Sequence, residues 1–268
     1  MKKFLTALAV MSLLTACKEN QKSQVSVIGG RPLSEELYKT SFTSIASLQH
    51  GVIHRCGATL ISPTEVITAA HCLVDYDQET ARESLSLLFG VTLLSDEKNP
   101  DRERIAIESF RIHAEYNSKT YQNDFALITL AEPSHARPAL LNEDKEFPLV
   151  DDEVHVLGWG DINGGGIRPD DLRITELNIV SNERCQDKFG LGYGIFDENI
   201  CAYQISSDAC HGDSGGPLFS LDHGSTKLVG VVSWGLGCGL TLPGVYARVS
   251  SFDLEAARLW PLHEGPKP

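Results

Sequence analysis

The chain has 268 residues, of which 42% are hydrophobic and 7% aromatic. That supplies enough apolar surface for a sizeable core, and all-β chains of about this length often form one domain. The formal net charge of −13 argues against nucleic acid or an anionic membrane surface as a partner, because both select basic surface.

Lys2 and Lys3 precede a short apolar run, Phe4 to Leu14. The run is too short to span a bilayer and reads as a secretory signal over residues 1–16. Ordinary cleavage wants small residues at the first and third positions before the cut, and Leu14 fits that poorly. Leu14-Thr15-Ala16-Cys17 instead resembles a bacterial lipobox, which implies that Cys17 is lipidated and starts a mature cell-envelope chain. Cys17 is also the odd one among seven cysteines. The other six, Cys56, Cys72, Cys185, Cys201, Cys210 and Cys238, are expected to form three bridges in an oxidising compartment. Counting alone leaves their pairing open. No CxxC or HExxH spacing points to a metal.

Residues 17–26 form a polar, aperiodic tether. Ordered structure is expected to begin at Val27-Ile28-Gly29-Gly30. Strand-like runs then recur between turn signals: Ser44 to Gln49, Ala58 to Ile61, Val66 to Ala69, Leu85 to Phe89, Ile105 to Ile112 and Phe125 to Leu130. Val154 to Leu157, Ile174 to Val180, Lys227 to Ser233 and Val245 to Val249 follow. Many short strands with Gly, Pro and Asn punctuation indicate a barrel or sandwich. Ser95 to Glu103 and Leu141 to Glu153 read as charged loops, and Asp161 to Asp171, with its glycine triplet, as a mobile surface loop. Ser250-x-x-Asp253 has the form of a capping box, and Phe252, Ala256, Leu259 and Trp260 follow at helical spacing, which predicts a C-terminal helix.

Three short stretches carry chemistry. His71 closes Thr68-Ala69-Ala70-His71-Cys72 after an apolar strand, and a neutral imidazole suits a general base. A lone His beside a Cys is more often a plain loop residue. Asp124 opens an apolar run, as a cap or a surface charge also could. Gly212-Asp213-Ser214-Gly215-Gly216-Pro217 is the most specific. A serine needs a neighbouring base to become a nucleophile, and the attacked carbonyl needs N–H donors at its oxygen. Ser214 could attack, with Gly212 and Ser214 as the donors.

Together these stretches resemble the chymotrypsin/trypsin-like serine proteases, in the family's order of His, Asp and Ser. The resemblance runs from Val27 to the C-terminal helix. It implies an all-β fold of two six-stranded antiparallel barrels across a cleft, in one protease domain over residues 27–268 whose halves meet at about residue 140. It implies a catalytic triad of His71, Asp124 and Ser214, with Ser233 buttressing Asp124, and the pairing Cys56–Cys72, Cys185–Cys201 and Cys210–Cys238.

Asp208 then falls at the floor of the primary specificity pocket, Gly235 and Gly244 on its walls, and Ser233 to Gly235, with Trp234, along the substrate backbone. His211 falls where it could border the pocket mouth, as a lid or as a residue that tunes neighbouring subsites. Cleavage after Arg or Lys follows, Arg pairing bidentately with Asp208. Val27 is implied as a new N-terminus whose amine pairs with Asp213. Partners are protein or peptide substrates and, as a further class, a proteinaceous inhibitor; a monomer is expected. The rival is an inert binding module on the same scaffold, and a narrower one is an esterase. Two departures stand out. Gly239 to Leu242 is one residue shorter than in many relatives, and Val91 stands where calcium-binding relatives carry a glutamate. Asp96, Glu97, Asp101 and Glu103 are hard oxygen donors without a recognisable ligand spacing, so neither metal nor cofactor is expected.

Overall fold

The computed structural model describes residues 30–162, 165–205, 207–222, 225–238 and 241–266. The signal segment, Cys17, the tether and Val27 lie outside the described residues. After a two-residue strand β1 (Arg31–Pro32), the first half contributes β2 (Ile45–His50), β3 (Ile53–Ser62), β4 (Glu65–Thr68), β5 (Leu85–Phe89), β6 (Glu103–Ile112) and β7 (Ala126–Leu130). These close into an antiparallel barrel in the order β2-β3-β4-β7-β6-β5.

The second half contributes β8 (Leu140–Leu141), β9 (Glu153–Gly158), β10 (Arg173–Val180), β11 (Asn199–Tyr203), β12 (Pro217–Asp222), β13 (Ser225–Trp234) and β14 (Gly244–Arg248). The order β10-β11-β14-β13-β12-β9 closes on itself through a β9–β10 pairing, so this too is a six-stranded antiparallel barrel. β1 and β8 are appended to it, β8 running parallel to β13.

Strand alternation explains the packing. In β6, Ile105 and Ile107 point inward, a register shift intervenes between Ile107 and Ser109, and Phe110 and Ile112 then resume the inward face. A bulge resets the period-two phase that would otherwise turn those side chains to solvent. Leu60, Leu87, Phe89, Phe110 and Ile128 fill the first barrel. Val156, Leu177, Ile200, Leu218 and Tyr246 fill the second. A third cluster, including Phe42, Ile67, Phe125, Trp159, Phe219 and Val231, joins residues of both barrels, so the cleft between them has a packed floor.

Several expectations need correction. β11 and β12 fall outside the expected strand runs, and helices over Gln78–Ser84 and Asn182–Phe189 join the predicted one. The C-terminal helix spans Leu254–Leu259, and its cap is Asp253, whose Oδ1 accepts from Ala256 N at 3.0 Å. Ser250 lies upstream in a 3-10 turn, Val249–Ser251. Leu259 is exposed, and the helix buries Ala257. Phe252 and Trp260 flank the helix and pack on each other at 5.9 Å, with Phe252 also against Phe125 at 5.2 Å. The helix docks on the first barrel through Arg258, which donates to both carboxylate oxygens of Glu65 at 2.7 Å. The described part of the Asp161–Asp171 loop is tied down rather than free: Asp161 N bonds His211 O, and Ser95 N bonds Asp170.

Candidate active site

β4 ends at Thr68, and the buried pair Ala69-Ala70 turns the chain into a 3-10 turn, Ala70–Cys72. The Cys56–Cys72 bridge ties that turn to β3. His71 therefore sits on a braced turn at the barrel rim. Its backbone N–H donates to Asp124 Oδ1 at 3.0 Å, and its Nδ1 lies 2.8 Å from Asp124 Oδ2. Asp124 is fully buried just before β7, and its Oδ2 also accepts from Ser233 Oγ at 2.5 Å. A carboxylate opposite Nδ1 assigns the ring proton to that nitrogen and leaves the Nε2 lone pair free to accept a proton.

Ser214 lies on a loop held at very close quarters. Gly57 N donates to Ser214 O at 2.8 Å, and Gly215 N to Val232 O at 2.8 Å. Gly215 has φ +75°, and a Cβ there would fall 2.1 Å from Thr68 Oγ1 and 2.6 Å from Gly57 O. Only glycine fits that combination of left-handed backbone and contact. The Gly212 and Ser214 N–H groups make no backbone hydrogen bond among the described residues, whereas the Asp213, Gly215 and Gly216 N–H groups do. Two free donors on one turn form a site for negative charge.

Two buried side chains support this turn. His54 Nε2 donates to Gly212 O at 2.9 Å, and its Nδ1 is 2.7 Å from Ser47 Oγ. Burial pushes the His54 ring down to about 4, opposed by the Gly212 hydrogen bond and assisted by the charge of Arg168. The ring is thus neutral at neutral pH, donating at Nε2 and accepting at Nδ1. Asp213 is buried and accepts from Gly160 N and Cys210 N, both at 2.8 Å. Burial pushes its carboxyl up to about 6, and those two donors and the Arg168 charge pull the other way.

One cavity of about 230 Å³ unites the predicted residues: His71, Asp208, His211, Ser214, Ser233, Trp234, Gly235 and Gly244 all line it. Asp208 is 4% exposed. A Cβ at Gly244 would come 2.8 Å from Asp208 Oδ1, so any side chain there would crowd the carboxylate, while Gly235 has open space where its Cβ would be. The Cys210–Cys238 bridge joins the Ser214 loop to the cavity wall, and Cys185–Cys201 fastens the helix Asn182–Phe189 to β11. All three pairings match the expectation. Cys56, Cys72 and His71 come close enough together to suggest a metal cluster, but the two sulfurs are bonded to each other. Of the acids in the charged loop, Asp101 pairs with Lys39, and Glu103 accepts from Ser134 and His135.

Sequence reasoning missed four residues here. Tyr121 lines the cavity and meets the His71 ring edge-on at 5.7 Å. Tyr246 lines it too, its hydroxyl buried; burial and then the Asp208 charge push that hydroxyl well above the usual range. Tyr193 stacks on Trp234 at 5.9 Å. His54 alone had a readable signal, two residues before Cys56 on the inward face of β3.

The family model described as Trypsin matches residues 33–254. The chain is 39% identical to trypsin epsilon of Drosophila erecta over 211 residues, 77% of this chain and 78% of that one. It is 36% identical to trypsin alpha-4 of Lucilia cuprina over 225 residues, 82% of each. It is 37% identical to hypodermin-B of Hypoderma lineatum over 209 residues, 76% of this chain and 77% of that one.

Proposed function

This chain belongs to the trypsin family of serine proteases, and from that membership we propose an endopeptidase that cuts after Arg or Lys through an acyl-enzyme on Ser214. His71 takes the Ser214 proton as general base and returns it to the leaving amine. Asp124 holds the imidazole in its tautomer and offsets the charge of the imidazolium. Gly212 and Ser214 N–H groups stabilise the oxyanion.

The observation that carries the specificity is the buried carboxylate of Asp208 in the cavity that His71 and Ser214 also line. Gly244 adds no side chain beside that carboxylate, and Ser233, Trp234 and Gly235 line the same cavity, where an extended peptide backbone can lie. The inert-module alternative has little support, since His71, Asp124 and Ser214 are all present with a short His71–Asp124 bond.

The experiment is Asp208→Ser, read as kcat/KM on matched peptides with Arg, Lys, Phe or Leu before the scissile bond. The variant should lose most Arg and Lys cleavage, because a desolvated substrate cation loses its counter-charge. A parent enzyme that prefers Phe or Leu would overturn the pocket assignment.

The same reading covers the chain's history. The precursor is exported over residues 1–16 and anchored by a lipid on Cys17, its only membrane attachment. A cut after Ser26 frees Val27, whose amine pairs with Asp213, orders the Gly212 and Ser214 donors and releases the domain as a monomer. Ser26 is neither Arg nor Lys, which favours a second protease as the activator.

A further inference from the structure

The chain carries 23 Lys and Arg against 36 Asp and Glu, so a cationic spot on its surface stands against a negative background. Two cations, Arg168 and Arg55, come from segments that meet beside the catalytic turn. Arg168 Nη1 donates to His54 O at 3.0 Å. A methyl placed on Gly212 would lie 3.3 Å from Arg168 Nε and 3.5 Å from its Cζ, so the guanidinium runs along the very peptide that presents a free N–H beside Ser214. Arg55 follows His54 on β3, whose side chains alternate, so His54 and Cys56 are buried and Arg55 is exposed. Among the described residues, neither guanidinium has a carboxylate within ion-pair distance.

The position of this pair gives it a direction. Asp208, Trp234, Gly235 and Gly244 gather on one side of Ser214 and take the acyl part of the substrate. The other side is built by β3, where Gly57 N holds Ser214 O and Cys56 is bridged to Cys72 beside His71. With the acyl part on the Asp208 side, the endopeptidase reading sends the leaving amine's chain out over the opposite side, toward the residues from His54 to Gly57. Arg168 spends one of its N–H donors on His54 O, and a guanidinium carries five. The remaining fork suits a carboxylate.

We infer that Arg168, with Arg55, forms a subsite that selects substrates carrying Asp or Glu in the first residues after the scissile bond. The inference deepens the endopeptidase reading and rests on it. The full recognition element is then a basic residue before the cut and an acidic one after it, matched by Asp208 on one side of Ser214 and two arginines on the other.

The test uses the purified active enzyme and two peptides that differ only after the cleaved bond, one with Asp and one with the neutral isostere Asn in the two positions that follow it. The readout is the ratio of kcat/KM between the peptides on the same enzyme, so any general loss of folded or active protein cancels. The parent enzyme should favour the acidic peptide by about fivefold, the scale of partly exposed ion pairs. Arg168→Ala should shrink the ratio about threefold, the double variant with Arg55→Ala should bring it close to unity, and Arg168→Glu should invert it. The preference should fade as salt rises from ~20 mM to ~0.5 M. A parent enzyme that cuts both peptides equally well, or a ratio unmoved by Arg168→Glu, overturns this inference and leaves the endopeptidase reading standing. An enzyme that cuts neither peptide at its basic residue contradicts the underlying reading itself.

Discussion

Cutting the chain between Ser26 and Val27 should change how its stability depends on pH, and Asp213 sets the size of the change. That carboxyl is buried beneath the Ser214 turn, and a Cβ at Gly158 would fall 2.0 Å from its Oδ1 and one at Gly160 2.4 Å from its Oδ2, so backbone encloses it closely. Burial raises it from an ordinary 3.8 to about 6. An unfolded chain gives up that proton more readily than the folded one. The stabilisation is therefore complete below about pH 4 and is lost as pH rises through about 6. Spanning about two pH units at ~1.4 kcal/mol each, ionisation of Asp213 costs the uncut chain about 3 kcal/mol by neutral pH. A Val27 amine delivered to the carboxylate offsets that cost. The assay is urea unfolding between about pH 4 and 7.5 on three Ser214→Ala chains, which cannot digest themselves: uncut, cut before Val27, and uncut with Asp213→Asn. The uncut chain should lose about 3 kcal/mol relative to the other two across that range. Parallel pH curves for the cut and uncut chains would refute the proposed capture of the amine by Asp213.

Gly215→Ala should destabilise the protein by roughly 2–4 kcal/mol and abolish activity, because φ is positive and the new methyl would strike Thr68 Oγ1 and Gly57 O; a thermal melt beside an activity assay checks it, and an active variant of normal melting temperature contradicts the packing described. Intact-mass analysis of the membrane fraction should find a precursor that begins at a lipidated Cys17, with more than one acyl chain since a single short one holds only marginally; a chain with a free Cys17 thiol contradicts the anchor.

The chemistry was more legible in the sequence than the scaffold that holds it. TAAHC and GDSGGP name His71 and Ser214 because the close backbone contacts at Gly215 and the bridged turn at Cys72 leave few alternative residues. Leu85–Phe89 has the predicted bounds because its apolar run starts where the polar helix Gln78–Ser84 ends and stops at Gly90, whose φ is +78°. β12 was hidden by its position directly behind the catalytic hexamer, and the helix Gln78–Ser84 by its polarity, since Ala81 is its only buried residue. The true C-terminal cap lay three residues beyond the expected one, because a 3-10 turn occupies the stretch from Val249 to Ser251 first. Tyr121 and Tyr246 reach the cleft, and Tyr193 its Trp234, from three distant parts of the chain, and no local pattern brings them together.

Acylation of Ser214 is tested directly by a burst titration with an arginine-analogue ester whose acyl group leaves slowly. About one equivalent of alcohol should be released per active enzyme, with an acyl adduct located on Ser214 by peptide mass mapping, and both should be lost in Ser214→Ala, whose turnover on peptides should fall on the order of a million-fold. Absence of a burst from the chain cut before Val27, or an adduct on any other residue, would contradict acylation at Ser214.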